Sequence, residues 1–237
     1  METASEPAAA AADSGVRGSR RALALAWLWI AGGSLTSVAL VLLATLPPMP
    51  AGDDAVAGWI DGGAFQLTWA GELLFFAIIA WGSGALSILG ARIGGSPLRS
   101  TLALVALGVA LIALLVVLLA LGRLVYPVVE RDLDVDTSVL LVSVVVGSVH
   151  LALLALAVVA ISFPLPAGSP RTARAATVAG VIVGAAFVAG SFPWLLPMWL
   201  NLSVAGLVGC WALLVGIGEL TRQRGAPSPD RPSAGRG

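Results

Sequence analysis

Three ionisable residues, Glu72, Arg123 and His150, lie inside or at the rim of long apolar stretches of the sequence. Ionisable side chains are costly in hydrocarbon, so residues of this kind are functional candidates when the surrounding stretch crosses a membrane. A carboxyl group and an imidazole could take up and release protons, and an imidazole could also ligate a metal ion or a haem iron. The chemistry open to them depends on which groups the fold places beside them.

Glu72 lies roughly seven residues, or on the order of 10 Å, from the outer end of its stretch at 1.5 Å per residue. We expect it to be protonated or to have a cationic partner. It shares one helical stripe with Thr68, Ser83 and Ser87, which should face protein or water. Arg123 ends the next stretch on the same side, so one hypothesis is a Glu72–Arg123 ion pair. The alternative is that Arg123 reaches the headgroups while another helix covers Glu72.

His150 lies about twelve residues from the outer end of its stretch, roughly 18 Å deep and near the midplane. It shares a face with Ser143 and Gly147. The chain has no other histidine and only one cysteine, Cys210, so no second imidazole or thiol completes a metal set, and a bis-histidine haem would need a partner chain. We therefore predict no metal and no cofactor. The structural alternative is a neutral histidine that hydrogen-bonds across the helices.

A cluster of acidic residues precedes the fourth apolar stretch, with carboxylates at alternate positions: Glu130, Asp132, Asp134 and Asp136. An extended segment would direct all four the same way and could attract Ca²⁺, although the glycine and spacing of an EF-hand are missing. The alternative is that these acids are solvated and that Asp136, with Thr137 and Ser138, caps the following helix.

The composition excludes a soluble domain. Of 237 residues, 58% are hydrophobic and 11% are charged, against ~25% charged residues in ordinary soluble domains. The same values exclude disorder and a disulfide scaffold. The formal net charge is zero, which gives no field for attracting nucleic acid. The chain is therefore predicted to be an integral membrane protein.

Six stretches are long enough to cross a bilayer, which takes ~20 residues of helix. Their continuous apolar character, without alternation, favours helices over barrel strands. We predict an all-α polytopic membrane protein with a bundle of six transmembrane helices, occupying 22–220 between a disordered N-terminal tail (1–21) and a disordered C-terminal tail (221–237). The predicted spans are 22–46, 65–91, 101–125, 138–163, 175–192 and 200–220.

Arginine supplies all thirteen basic residues. Only Arg123 and Arg131 fall on one side of the predicted spans, and the other eleven fall on the opposite side. By the positive-inside rule, both termini are predicted to be cytoplasmic, and the loops around Asp53, Glu130 and Pro193 to lie outside.

Tryptophan side chains favour the membrane interfaces. This places Trp27 and Trp29 near the inner end of the first span. Trp81 and Trp211 fall deep inside their spans, where we expect them to make helix–helix contacts instead.

Small residues predict where helices approach closely, because lipid provides no hydrophobic drive between them. Gly180 and Gly184 lie four residues apart in the fifth span, and Gly206 and Cys210 have the same spacing in the sixth. We therefore predict that spans five and six form a tight hairpin. Cys210 is expected to be a buried small apolar residue.

Arginine without lysine, in a chain rich in alanine, glycine, valine, leucine and proline, is typical of a GC-rich genome. In composition and topology the chain resembles the multipass membrane proteins of high-GC Gram-positive bacteria of actinobacterial type, without a motif of a named family. The resemblance implies a plasma-membrane location.

The chain contains no phosphate-binding Gly-Lys-Ser loop, HExxH or GxSxG motif, and no basic-aromatic array for nucleic acid. The leading hypothesis is a non-enzymatic accessory or assembly subunit whose partners are the lipid bilayer and a membrane protein or a second copy of the chain. The alternative is a small solute carrier or proton-coupled permease that uses Glu72 and His150. A second alternative is a membrane enzyme or a haem-linked electron-transfer component.

Overall fold

The chain folds into seven helices in the computed structural model, which describes residues 6–48, 50, 53–91, 97–126, 134–162 and 170–224. The described residues contain no strand, and the predicted all-α class is confirmed. The helices are α1 (Glu6–Ala44), α2 (Asp53–Gly62), α3 (Ala64–Ala91), α4 (Pro97–Val125), α5 (Val135–Ser162), α6 (Pro170–Gly190) and α7 (Met198–Arg224).

The six long helices form an antiparallel bundle, and short α2 lies against α5 and α3. Helix α1 packs between α3 and α7, while α4 joins α3 to α5. Helix α6 lies along α5 and touches α7 over a short length. The chain therefore passes from one end of the bundle to the other with each long helix.

Five helices are long and apolar enough to cross a membrane, over Leu23–Ala44, Ala64–Ala85, Leu98–Val125, Val135–Ser162 and Met198–Thr221. This confirms the prediction of a polytopic membrane bundle but not the count of six spans. The predicted fifth span, 175–192, corresponds to α6, whose apolar part is only Thr177–Gly190. That part covers about 21 Å at 1.5 Å per residue, less than the ~30 Å hydrocarbon layer.

Three fully buried tryptophans form the centre of the bundle where α1, α3 and α7 meet. The ring of Trp29 lies 6.0 Å from Trp81 and 5.6 Å from Trp211, and Trp81 lies 6.3 Å from Trp211, all with edge-to-face geometry. The predicted helix contacts of Trp81 and Trp211 are confirmed. The interfacial position predicted for Trp29 is wrong, because its side chain points into the bundle and only Trp27 remains exposed.

The predicted tight hairpin of spans five and six is wrong, because Gly180 and Gly184 of α6 face α5 and not α7. A Cβ atom on Gly180 would lie 2.5 Å from the carbonyl oxygen of Ala160, and one on Gly184 would lie 2.6 Å from the Ile161 side chain. Gly206 has no neighbouring atom within 4 Å of such a Cβ, and Cys210 is exposed. Four-residue spacing indicates a shared face but cannot identify the helix that packs on it.

Helix α7 uses other small residues, and its partner is α1. A Cβ on Gly33 would collide with Ala212, and one on Gly216 with Ile30. Gly209 faces Ser37, whose hydroxyl donates a 2.6 Å hydrogen bond to the carbonyl oxygen of Ala205. These close approaches fix the antiparallel register of the first and last helices.

The start of α1 differs most from its prediction. Helix α1 begins at Glu6 and includes most of the predicted disordered tail 1–21, a difference explained by an Ala8–Ala12 run of the residue with the highest helix propensity. The predicted C-terminal tail falls largely on residues 225–237, outside the described part of the chain.

Helix α5 is capped by Asp134 and not by Asp136, because it begins at Val135, earlier than predicted. The carboxylate of Asp134 accepts a 2.7 Å hydrogen bond from the Thr137 backbone N–H. Hydrogen bonds from the hydroxyl and the backbone of Thr137 hold the pKa of Asp134 below its usual value. The cap is therefore charged at neutral pH. Glu130 and Asp132 lie outside the described residues.

The glycine contacts predict opposite effects for the same substitution at two sites. Gly180→Ala should destabilise the protein by about 1–3 kcal/mol, because the new methyl group meets rigid backbone of α5. Gly206→Ala should be neutral or stabilise by up to about 1 kcal/mol, because alanine favours helix and the site is open. Unfolding of both variants in mixed detergent micelles measures this, and equal effects would contradict the packing described.

Candidate functional site

Glu72 lies on the outside of the bundle. It is eight residues from the start of α3, about 12 Å along the helix axis, and its side chain is exposed. Ser83 on the same stripe is also exposed, and Thr68 is half-buried. Glu72 and Ser83 of the stripe therefore face away from the bundle interior, and the side chain of Ser87 lies outside the described residues.

The described partner of Glu72 is Tyr126, which follows the last residue of α4. Its hydroxyl donates a 3.0 Å hydrogen bond to the Glu72 Oε1. That hydrogen bond, together with partial burial and the negative charge of Glu72, raises the pKa of Tyr126, so the hydroxyl keeps its proton at neutral pH. Both side chains are otherwise exposed.

The hypothesised ion pair is not formed. Arg123 is half-buried and forms no salt bridge with Glu72, although both side chains belong to the described part of the chain. One helical turn separates Arg123 from Tyr126, and the tyrosine takes the place beside the carboxylate.

A shallow groove runs beside Glu72 between α3 and α4. It has a volume of about 280 Å³ and is lined by Gly71, Glu72, Phe75 and Leu118. Gly71 is buried where α3 packs on Leu118 and Leu121 of α4, while Trp69, Phe75 and Phe76 are exposed beside Glu72. The first half of α3 therefore combines a carboxylate and large aromatic rings on one exposed surface.

His150 faces a different part of the molecule. Its Nδ1 lies 2.7 Å from the backbone carbonyl oxygen of Ser191. A carbonyl only accepts, so Nδ1 carries the proton and donates it. The imidazole ring also packs 4.9 Å from the ring of Phe192 and 5.8 Å from Trp194. This geometry matches the structural alternative, in which the histidine hydrogen-bonds across the helices.

The segment that His150 contacts connects α6 to α7 over residues 191–197. Pro193 cannot continue a helix, which explains why α6 ends at Gly190. The free carbonyl groups need donors, and Asn201 supplies two hydrogen bonds from Nδ2, to Pro193 at 2.9 Å and to Leu196 at 3.4 Å. His150 and Asn201 together donate hydrogen bonds to three backbone carbonyl groups of an irregular segment. Hydrocarbon cannot supply such donors.

The structure does not bring Glu72 and His150 together, because one faces outward beside Tyr126 and the other faces the α6–α7 connection. No group of three His, Cys, Asp or Glu side chains that could hold a metal ion occurs among the described residues.

The sequence analysis did not single out Tyr126, Asn201 or Glu219, the last of which is 2% exposed near the end of α7. Glu219 lies within the predicted sixth span and could have been found by the criterion that selected Glu72. Tyr126 and Asn201 carry no charge, and their roles depend on partners that are distant in sequence.

The geometry predicts that His150 stabilises the fold. His150→Ala should lower the free energy of unfolding by about 1–3 kcal/mol, because the Ser191 carbonyl loses its donor in an apolar environment. Ser143→Ala is the matched control on α5, since the exposed Ser143 hydroxyl bonds only to its own helix. The free energy of unfolding of the two variants, measured in detergent, checks this prediction. A His150→Ala variant as stable as the control would contradict the role of His150.

Comparison with known proteins gave no relative: no protein-family model, no curated protein and no solved structure matches this chain.

Proposed function

We propose that this protein is a non-enzymatic accessory or assembly subunit of the plasma membrane, and that the outer half of α3 binds a transmembrane helix of another membrane protein. The observation that carries the proposal is the exposed Glu72 carboxylate within a membrane-spanning helix.

Exposure of Glu72 to lipid would be costly. Ionised side chains cost ~2.5–3.5 kcal/mol near the centre of an inserted helix, and less toward the interface. Tyr126 supplies one hydrogen bond, but a carboxylate has about four acceptor positions. A partner helix that donates to the remaining positions would remove this cost.

The surface around Glu72 suits a helix. The exposed rings of Trp69, Phe75 and Phe76 provide large contact area beside the carboxylate. The partner helix should carry a basic or hydrogen-bond-donating side chain at the depth of Glu72.

A symmetric dimer fits this surface less well. A two-fold interface brings the same patch of both chains together, so two Glu72 carboxylates would face each other. Like charges in an apolar interface disfavour that contact. A different membrane protein is therefore the proposed partner, and the carrier hypothesis receives no support from a shared Glu72–His150 site.

We further propose six spans with both termini cytoplasmic, in a bacterium of actinobacterial type. The arginine distribution supports this orientation. The antiparallel course of α6 between α5 and α7 supports the sixth crossing, because Gly180 lies against Ala160 near the end of α5 and Gly190 against Val204 near the start of α7.

The partner proposal predicts a site-specific cross-link. A photoreactive phenylalanine analogue at Phe75 should cross-link to one membrane protein in native membranes, and Glu72→Leu should abolish the cross-link while leaving the protein folded. The matched control is the same analogue at Leu140, an exposed site on α5. Cross-links to lipid alone, equal yields at both sites, or a cross-link only to a second copy would overturn the proposal.

The topology predicts that reporters at Asp54 and Ala226 lie on opposite sides of the membrane. A periplasmic-type enzyme reporter should be active at Asp54 only, and a cytoplasmic fluorescent reporter at Ala226 only. If α6 did not cross, the number of crossings would be odd, and both sites would lie on the outer side.

A further inference from the structure

A large apolar cavity occupies one end of the bundle interior, on the side of the α6–α7 connection. Its volume is about 820 Å³, and it is partly open. Helices α1, α4, α5 and α7 supply most of its walls, with Leu40, Leu153 and Ala205 at the deep end. The site is separate from Glu72, which does not line it.

The cavity exists because α6 is short. Gly190, the last residue of α6, lies against Val204, six residues into α7. Helix α7 therefore extends about 9 Å beyond the end of α6. Pro193 and Trp194 of the connection line the space left above α6.

The size and shape of the cavity indicate long hydrocarbon chains. A dry cavity of ~150 Å³ binds one benzene, so 820 Å³ corresponds to about five such molecules, or ~30 carbon atoms. Along α5 the lining runs from Val142 to Leu153, about 16 Å at 1.5 Å per residue. Two acyl chains of about 16 carbons each have this combined size.

The polarity of the lining also fits a lipid. The deep end is wholly aliphatic, whereas Thr45, Pro47 and Trp59 lie at the rim. The Trp59 indole N–H donates a 2.9 Å hydrogen bond to the Pro47 carbonyl, which holds the ring at the outer end of α1. An apolar interior with an aromatic and hydroxyl rim is the environment of a lipid between its chain ends and its headgroup.

We propose that this cavity binds the acyl chains of one membrane lipid, with the headgroup at the rim near Trp59. Recognition rests on the chains, so the headgroup type should matter little. Water is a poor occupant, because the aliphatic lining offers few hydrogen-bond partners.

The test uses the full-length protein in detergent, delipidated and then mixed with phosphatidylglycerol carrying two acyl chains of about 16 carbons, with retained lipid counted by native mass spectrometry. The protein should retain one lipid. Val146→Trp, which fills the cavity, should lower the affinity about tenfold or more, because two displaced methylene groups already account for a factor of about ten. Val139→Trp is the matched control, since Val139 is exposed on the same helix.

Other lipids and a second cavity variant test whether the acyl chains, and not the headgroup, are recognised. Phosphatidylcholine with the same chains should be retained equally, and a single-chain lysolipid at least tenfold less well, because it lacks one whole acyl chain. Val142→Trp, at another lining position, gives a second test if Val146→Trp unfolds. No retained lipid, equal retention by the Val146 and Val139 variants, or retention of only one headgroup type would overturn the proposal. Glu72→Leu should not change lipid retention, so failure here is distinguishable from failure of the partner proposal.

Discussion

Hydrocarbon cannot hydrogen-bond to a peptide group, and this constraint governs the part of the bundle where α6 ends. Pro193 stops helix α6, and the carbonyl groups of Ser191, Pro193 and Leu196 in the connection accept hydrogen bonds from side chains. His150 and Asn201 provide the side-chain donors to these three carbonyl groups. These hydrogen bonds hold the α6–α7 connection in place, so the space beyond the end of α6 stays open as a cavity.

The same constraint does not explain Glu72, which lies outside the bundle. The interior where α1, α3 and α7 meet is filled by Trp29, Trp81 and Trp211. The Glu72 carboxylate is held on the outside of the bundle by its hydrogen bond from Tyr126. The bundle thus packs these three aromatic rings inside and presents the Glu72 carboxylate on its outside.

The helices were predictable because long apolar runs in lipid have few alternatives to helix. Predicted and observed limits agree within a few residues for α3, α4 and α5. The prolines after Leu46 explain where α1 ends, and Pro193 explains where α6 ends. Length was less well predicted for α1, because alanine propensity extends it to Glu6, and α2 was not anticipated, since its ten residues are too few to span a bilayer.

Composition and run length were enough to predict an all-helical membrane protein, because they set the solvent and the backbone conformation. The sequence also identified Glu72 and His150 as unusual, since the free-energy cost of an ionisable side chain in hydrocarbon can be recognised without knowing its neighbours. The packing of the helices was needed to find that Gly180 packs on α5, that Tyr126 and not Arg123 contacts Glu72, and that His150 donates to the Ser191 carbonyl. The physical reason is that periodicity defines the face of a helix, whereas the residue opposite that face depends on the order and register in which all the helices pack.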